Sequence, residues 1–115
     1  MFKFIKQFTV SKNENSRSFR RDMANRLNGR GLKYVTERKD GEDYVIGKEG
    51  SLVRKGDELI VLSSEGVVFR SKIDSLQMNE LLSLEGIILT GEDLDHDGTN
   101  RCVVAYYTYY RRVTS

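Results

Sequence analysis

Glu58-Leu59-Ile60-Val61-Leu62-Ser63-Ser64-Glu65-Gly66-Val67-Val68-Phe69-Arg70-Ser71-Lys72 decides the fold class. Two short runs rich in β-branched and aromatic residues flank Ser64-Glu65-Gly66, a polar turn with glycine at its end. That arrangement reads as a β-hairpin. Working outward, the same grammar repeats. Leu32 to Arg38, Asp43 to Lys48 and Ser51 to Arg54 read as strands, separated by Asp40-Gly41, Glu49-Gly50 and Lys55-Gly56-Asp57. Asp-Gly between apolar runs is a strong hairpin signal. Downstream, Gly86 to Thr90 is a strand, Gly91 to Asn100 an acidic loop, and Arg101 to Val113 a long final strand rich in tyrosine.

Two segments break this meander. Phe19, Met23 and Leu27 recur every four residues, with Ala24 beside Met23. They form one apolar stripe of a helix, capped from Asn15 or Ser16 and stopped by Gly29 and Gly31. Asp74 to Leu84 reads as a short helix or two turns, with Asp74 as cap and Leu76, Leu81 and Leu84 facing inward. Upstream of the first helix, Phe2, Phe4, Phe8 and Val10 alternate along a strand, interrupted by Lys6.

The expected architecture is mainly β (α+β): about seven or eight short strands in a curled antiparallel sheet or small barrel, with one N-terminal amphipathic helix packed on it. At 115 residues, without a Pro- or Gly/Ser-rich linker, residues 1–115 form one domain. Proline is absent altogether, so Gly, Asn and Asp carry the turns. The Gly-punctuated meander resembles pleckstrin-homology-like barrels. The chain as a whole resembles small proteins of Gram-positive bacteria. Neither resemblance brings a function or a site residue with it.

Composition narrows the setting. A single cysteine, Cys102, permits no internal disulfide. The N-terminus interrupts its apolar residues with lysines, and the longest apolar runs are too short to cross a bilayer. A cytoplasmic, bacterial protein with no membrane partner is the expectation. The net charge is +2, so attraction to nucleic acid needs local clustering.

Three features could carry chemistry. Asp93, Asp95 and Asp97 alternate and are followed by Gly98, as in the first half of an EF-hand calcium loop. The second half departs from that pattern: counting from Asp93, the ninth position is Arg101 and the twelfth Val104, so any calcium binding would be weak. Arg17, Arg20 and Arg21 lie about one helical turn apart, and Arg111 and Arg112 close the last strand next to its tyrosines. Phosphate contacts beside stacking rings suit single-stranded nucleic acid. Third, the last strand is apolar or aromatic on both faces. Tyr106 and Tyr110 share one face with Cys102 and Val104, expected to be the core; Tyr107 and Tyr109 share the other with Val103 and Ala105. A strand apolar on both sides is either covered twice or presents a contact patch. Tyr107 and Tyr109 are thereby the expected interaction surface.

Enzymatic chemistry finds little support. His96 is the only histidine, a Cys102–His96 pair lacks an orienting third group, and the glycines form no phosphate loop. The sequence therefore favours a non-enzymatic protein-interaction or regulatory module, without cofactor, bound to a protein partner or a second copy. A nucleic-acid-binding accessory protein is the second reading, and a weak calcium-binding loop the third.

Overall fold

Residue-by-residue alternation between buried and exposed positions builds most of the computed structural model, which describes residues 17–108. Helix α1 spans Arg17–Leu27. Seven strands follow: β1 (Gly31–Lys39), β2 (Glu42–Lys55), β3 (Glu58–Ser63), β4 (Gly66–Lys72), β5 (Gln77–Glu80), β6 (Gly86–Asp93) and β7 (Thr99–Tyr107). They form a single antiparallel sheet in the order β4-β3-β2-β1-β7-β6-β5, curled but not closed. Among the described residues the expected mainly β architecture with one helix is what forms. The Phe2–Val10 strand, the Asn15 and Ser16 caps, and Tyr109, Tyr110, Arg111 and Arg112 lie outside the described residues.

The helix stripe buries as its spacing dictates. Met23, Ala24 and Leu27 are enclosed, and Phe19 packs half-buried against the same core. The exit from α1 is tied to β2: the Gly29 amide donates to the Leu52 carbonyl at 2.7 Å, and the Asn28 side chain accepts from the Arg54 amide at 2.8 Å. The hairpin β3–β4 buries Leu59, Val61, Phe69 and Ser71 on its inner face. At the β1–β2 turn, Asp40 (φ 54°) and Gly41 (φ 80°) both take the left-handed conformation that a two-residue Asp-Gly turn requires.

Three expectations are corrected. Asp43 to Lys48 and Ser51 to Arg54 are one strand, because Glu49-Gly50 bends β2 without ending it. The first part of β2 pairs with β1, and Ser51 to Lys55 pair with β3. Gly50 makes this double use of β2 feasible: a Cβ there would lie 1.8 Å from the Leu62 carbonyl oxygen. Asp74 to Leu84 is not helical. Ile73–Ser75 forms a 3₁₀ turn and Gln77–Glu80 an edge strand on β6. The buried residues there, Leu76 and Met78, lie two apart, which is the strand period, and Leu84 points to solvent. The acidic loop is also shorter than Gly91 to Asn100. Glu92 pairs with Asn100 and Asp93 with Thr99, leaving Leu94 to Gly98 as the connection.

The edges β4 and β5 do not pair with each other, yet the curl brings β6 against β4. Side chains close this seam in place of a backbone ladder. Asp93 Oδ1 accepts from the Arg70 amide at 3.4 Å, and Arg101 Nη1 donates to the Val68 carbonyl at 3.1 Å. Both main-chain groups belong to the otherwise open edge of β4. An uncovered strand edge invites wrong pairing, and these two contacts occupy it.

Candidate functional site

Arg101 lies on the same side of β7 as Val103, Ala105 and Tyr107, all core residues. Cation on the core face demands partners. Glu37 of β1 supplies two hydrogen bonds, at 3.0 and 2.8 Å, and Asp93 of β6 a third at 2.5 Å. Asp93 is fully buried and also takes His96 Nδ1 at 2.8 Å and the Asp95 amide at 3.0 Å. Alongside runs a second cluster: Arg70 bridges Glu58 (2.7 Å) and Asp95 (2.9 Å). The hydrogen bond from Arg101 holds the Glu37 carboxyl below the usual carboxylate range, against the opposing effect of burial. Arg70 does the same for Asp95. An open groove of about 620 Å³ lies over this cluster, bordered by Arg38, Lys39, Thr90, His96, Asn100 and Cys102.

The three aspartates of the calcium reading are thus separated by their partners. Asp93 serves Arg101 and His96, Asp95 serves Arg70, and Asp97 is a left-handed turn residue (φ 57°). Among the described residues no three His, Cys, Asp or Glu side chains are placed to hold a metal ion. Cys102 and His96 border the same groove but serve different partners: Cys102 Sγ is 3.6 Å from Thr90 Oγ1, and His96 is on Asp93.

The helix arginines converge on one acidic corner. Arg17 Nε and Arg21 Nη2 lie 3.4 and 3.2 Å from the Asp74 carboxylate, and Arg20 Nη1 donates to the Asp74 carbonyl at 2.8 Å. Arg21 also faces Asp57 at 3.7 Å. These contacts fasten α1 to the 3₁₀ turn, and the hydrogen bond from Arg21 is the main reason the Asp74 carboxyl sits low. The three arginines do share a face, as their spacing predicts, and that face is turned to the domain's own aspartates.

The expected facing of β7 is reversed. Tyr107 is 1% exposed and belongs to the core, so it is not an interaction surface; Cys102, Val104 and Tyr106 occupy the outer side. Both faces are apolar, so alternation alone could not choose between them. The choice follows from the pairing of Ala105 with Val35 of β1 and Ile87 of β6, both core residues.

Burial pushes the Tyr107 phenol up to about 12. The unfolded phenol ionises near 10, so from about pH 10 to about 12 the unfolded chain releases a proton that the folded chain keeps. Stability is full below pH 10 and falls by about 3 kcal/mol at most across that window. Tyr107→Phe should abolish most of this alkaline loss. Because the buried hydroxyl has no partner among the described residues, the substitution should alter neutral-pH stability by no more than about 1 kcal/mol. Urea midpoints of both proteins on either side of pH 10 check this; parallel losses would refute it.

On the outer side of β2, β1 and β7 the rings of Tyr34 and Tyr106 meet with centroids 4.6 Å apart, tilted by 35°. With Thr36 and Val45 they line a cleft of about 430 Å³, rimmed by Lys33 and Lys48 at one end and Asp43 at the other. Val45 is 57% exposed, whereas Thr36 is 6% exposed and its hydroxyl has no partner among the described residues. Burial raises the Tyr106 phenol.

No family model, curated protein or solved structure matches this chain.

Of the cleft's residues only Tyr106 figures in the sequence reading, and there on the core side of β7. Tyr34 and Val45 were not singled out, since isolated apolar residues on a strand are unremarkable. The Glu37–Arg101–Asp93 cluster was also missed. Its signal was present: Arg101 has the same parity as Val103 and Ala105, and Glu37 the same parity as Val35.

Proposed function

We propose that this chain is a non-enzymatic protein-interaction module, whose contact surface is the outer face of β2, β1 and β7. The observation that carries the reading is the cleft between Tyr34, Thr36, Val45 and Tyr106. It combines an exposed aliphatic side chain, an aromatic pair, and charges of both signs at its ends. Interfaces concentrate their energy in such apolar and aromatic centres with polar rims. An apolar or aromatic side chain of a partner protein suits this centre, with polar groups around it for the rim. No helix among the described residues is long and apolar enough to cross a membrane, and the reading requires none.

A displayed random-peptide library, panned against the wild-type chain and against Val45→Glu, tests this. Enriched peptides should carry an aromatic or large aliphatic anchor, shift the amide resonances of Thr36, Val45 and Tyr106, and bind Val45→Glu at least about tenfold more weakly, the loss of one apolar anchor. Equal enrichment on both proteins would refute the reading. So would shifts of the same amides by short single-stranded oligonucleotides that vanish steeply with salt, which is the signature of phosphate contacts.

A further inference from the structure

Helix α1 is fastened differently at its two ends. Mainly neutral hydrogen bonds hold the C-terminal end. The Gly29 amide donates to the Leu52 carbonyl at 2.7 Å, and the Leu52 amide donates to the Arg30 carbonyl at 2.9 Å. Asn28 accepts from the Arg54 amide, and Asn25 from the Arg54 guanidinium. Met23, Ala24 and Leu27 are buried in this half of the helix.

The N-terminal end is held by charge. Its first turn contains Arg17 and Arg20 and no acid. A helix N-terminus is the positive end of the macrodipole, so cations there weaken the helix. At 11 residues, α1 has little stability of its own. The compensation comes from another element. Arg17 and Arg21 pair with the Asp74 carboxylate at 3.4 and 3.2 Å, and Arg20 donates to the Asp74 carbonyl at 2.8 Å. Asp57, 3.7 Å from Arg21, adds a second and more distant carboxylate. Lys55 and Lys72 precede these two acids by two residues each and bring further positive charge to the corner. The side chains of Arg17 and Asp74 are 72% and 43% exposed, so dissolved ions reach the pairing.

We propose that α1 is a hinged lid latched by one charge: when the Asp74 carboxylate is neutralised or screened, Arg17 to Asp22 lift from the 3₁₀ turn, while Asn25 to Gly29 stay on β2 and the sheet keeps its ladders. Without that carboxylate the three arginines face one another and the helix dipole with only Asp57 to balance them. Lifting draws Phe19 off the core against which it packs. Acid acts in the same sense. The hydrogen bond from Arg21 holds the Asp74 carboxyl low, so the latch is complete above the ordinary carboxylate range and is released as pH falls through the depressed value. The device is independent of the outer-face cleft of β2, β1 and β7.

Amide hydrogen exchange on the full chain decides the matter. Asp74→Asn keeps the shape of the side chain and the carbonyl that Arg20 uses, and removes only the charge. In this variant the Arg21 and Asp22 amides should exchange at least about fivefold faster than in wild type, the effect of losing a few exposed ion pairs. Leu27 at the fixed end, and Leu89 in the sheet, should change by less than about twofold. Sodium chloride at about 1 M, where charges are screened beyond about 3 Å, should speed Arg21 and Asp22 relative to Leu27 in wild type and leave that ratio unchanged in Asp74→Asn. Unaltered exchange at Arg21 and Asp22 in the variant would overturn the latch. An equal rise at Leu27 and Leu89 would overturn the hinge, since the whole domain would then be loosened. Should the variant fail to fold, the salt series on wild type still answers: a constant ratio of Arg21 to Leu27 exchange would refute the proposal.

Discussion

Arg101→Met is expected to lower the free energy of unfolding by about 3–5 kcal/mol, the cost of leaving a buried partner charge uncompensated. The side chain of Arg101 is only 12% exposed, and Asp93 beneath it is fully buried. Removing the guanidinium leaves Asp93 with His96, the Asp95 amide and the Arg70 amide, but without its permanent cation. Glu37 loses both of its Arg101 hydrogen bonds, and the Val68 carbonyl loses its donor on the edge of β4. Against a typical stability of about 5–15 kcal/mol, a loss of that size is a large fraction of the whole. Urea unfolding measures it. Adding Asp93→Asn to Arg101→Met should recover part of the loss, because the stranded charge is gone. Acid should act in the same direction. Arg101 depresses the folded-state Glu37 value, so this support is complete above the ordinary carboxylate range and is lost as pH falls through the depressed value. In Arg101→Met that portion of the acid sensitivity should disappear. An unchanged urea midpoint would show that the seam between β4 and β6 is held by something other than this cluster.

The second large effect is expected at Gly50. Gly50→Ala should cost at least about 3 kcal/mol, at or beyond the top of the usual overpacking range, because the clashing atoms are backbone and cannot rotate away. The added Cβ would lie 1.8 Å from the Leu62 carbonyl oxygen and 2.6 Å from its carbon. To make room, β2 must move away from β3 where β2 passes from one partner strand to the next. The loss should appear in amide exchange as opening of Leu52 to Arg54 and of Leu59 to Leu62, with the β6–β7 ladder less affected. Gly56→Ala provides the contrast. Its Cβ would meet no atom within 4 Å, so the cost there is confined to the left-handed φ of 60°. Equal destabilisation at the two sites would show that backbone conformation, and not the close approach at Gly50, limits this part of the sheet.

Local signals were readable wherever one face of an element is clearly apolar. The helix stripe of Phe19, Met23 and Leu27, the Asp40-Gly41 turn and the β3–β4 hairpin all formed as their spacing predicts. Where a short helix or two turns are expected over Asp74 to Leu84, an edge strand forms between turns, because pairing with β6 outweighs a weak leucine periodicity. The β2 strand was divided at Glu49-Gly50 because those residues usually end a strand, and only the approach of Leu62 explains a glycine within it. The acidic run from Asp93 was legible as a turn. That its first aspartate is a buried partner of Arg101 was not, since Arg101 comes eight residues later and Glu37 sits on another strand.

What the sequence by itself determined is the mainly β class, the single amphipathic helix and the positions of most turns. Those follow from local periodicity and from the dihedral preferences of Gly, Asp and Asn, which operate within a few residues. The tertiary structure alone decided which face of β7 is core, which strands flank it, and which charges meet at the seam. A strand apolar on both sides has no inward face until its register with distant neighbours is set. Pairing Ala105 with Val35 and Ile87 sends Tyr107 inward and leaves Tyr106 beside Tyr34 on the surface.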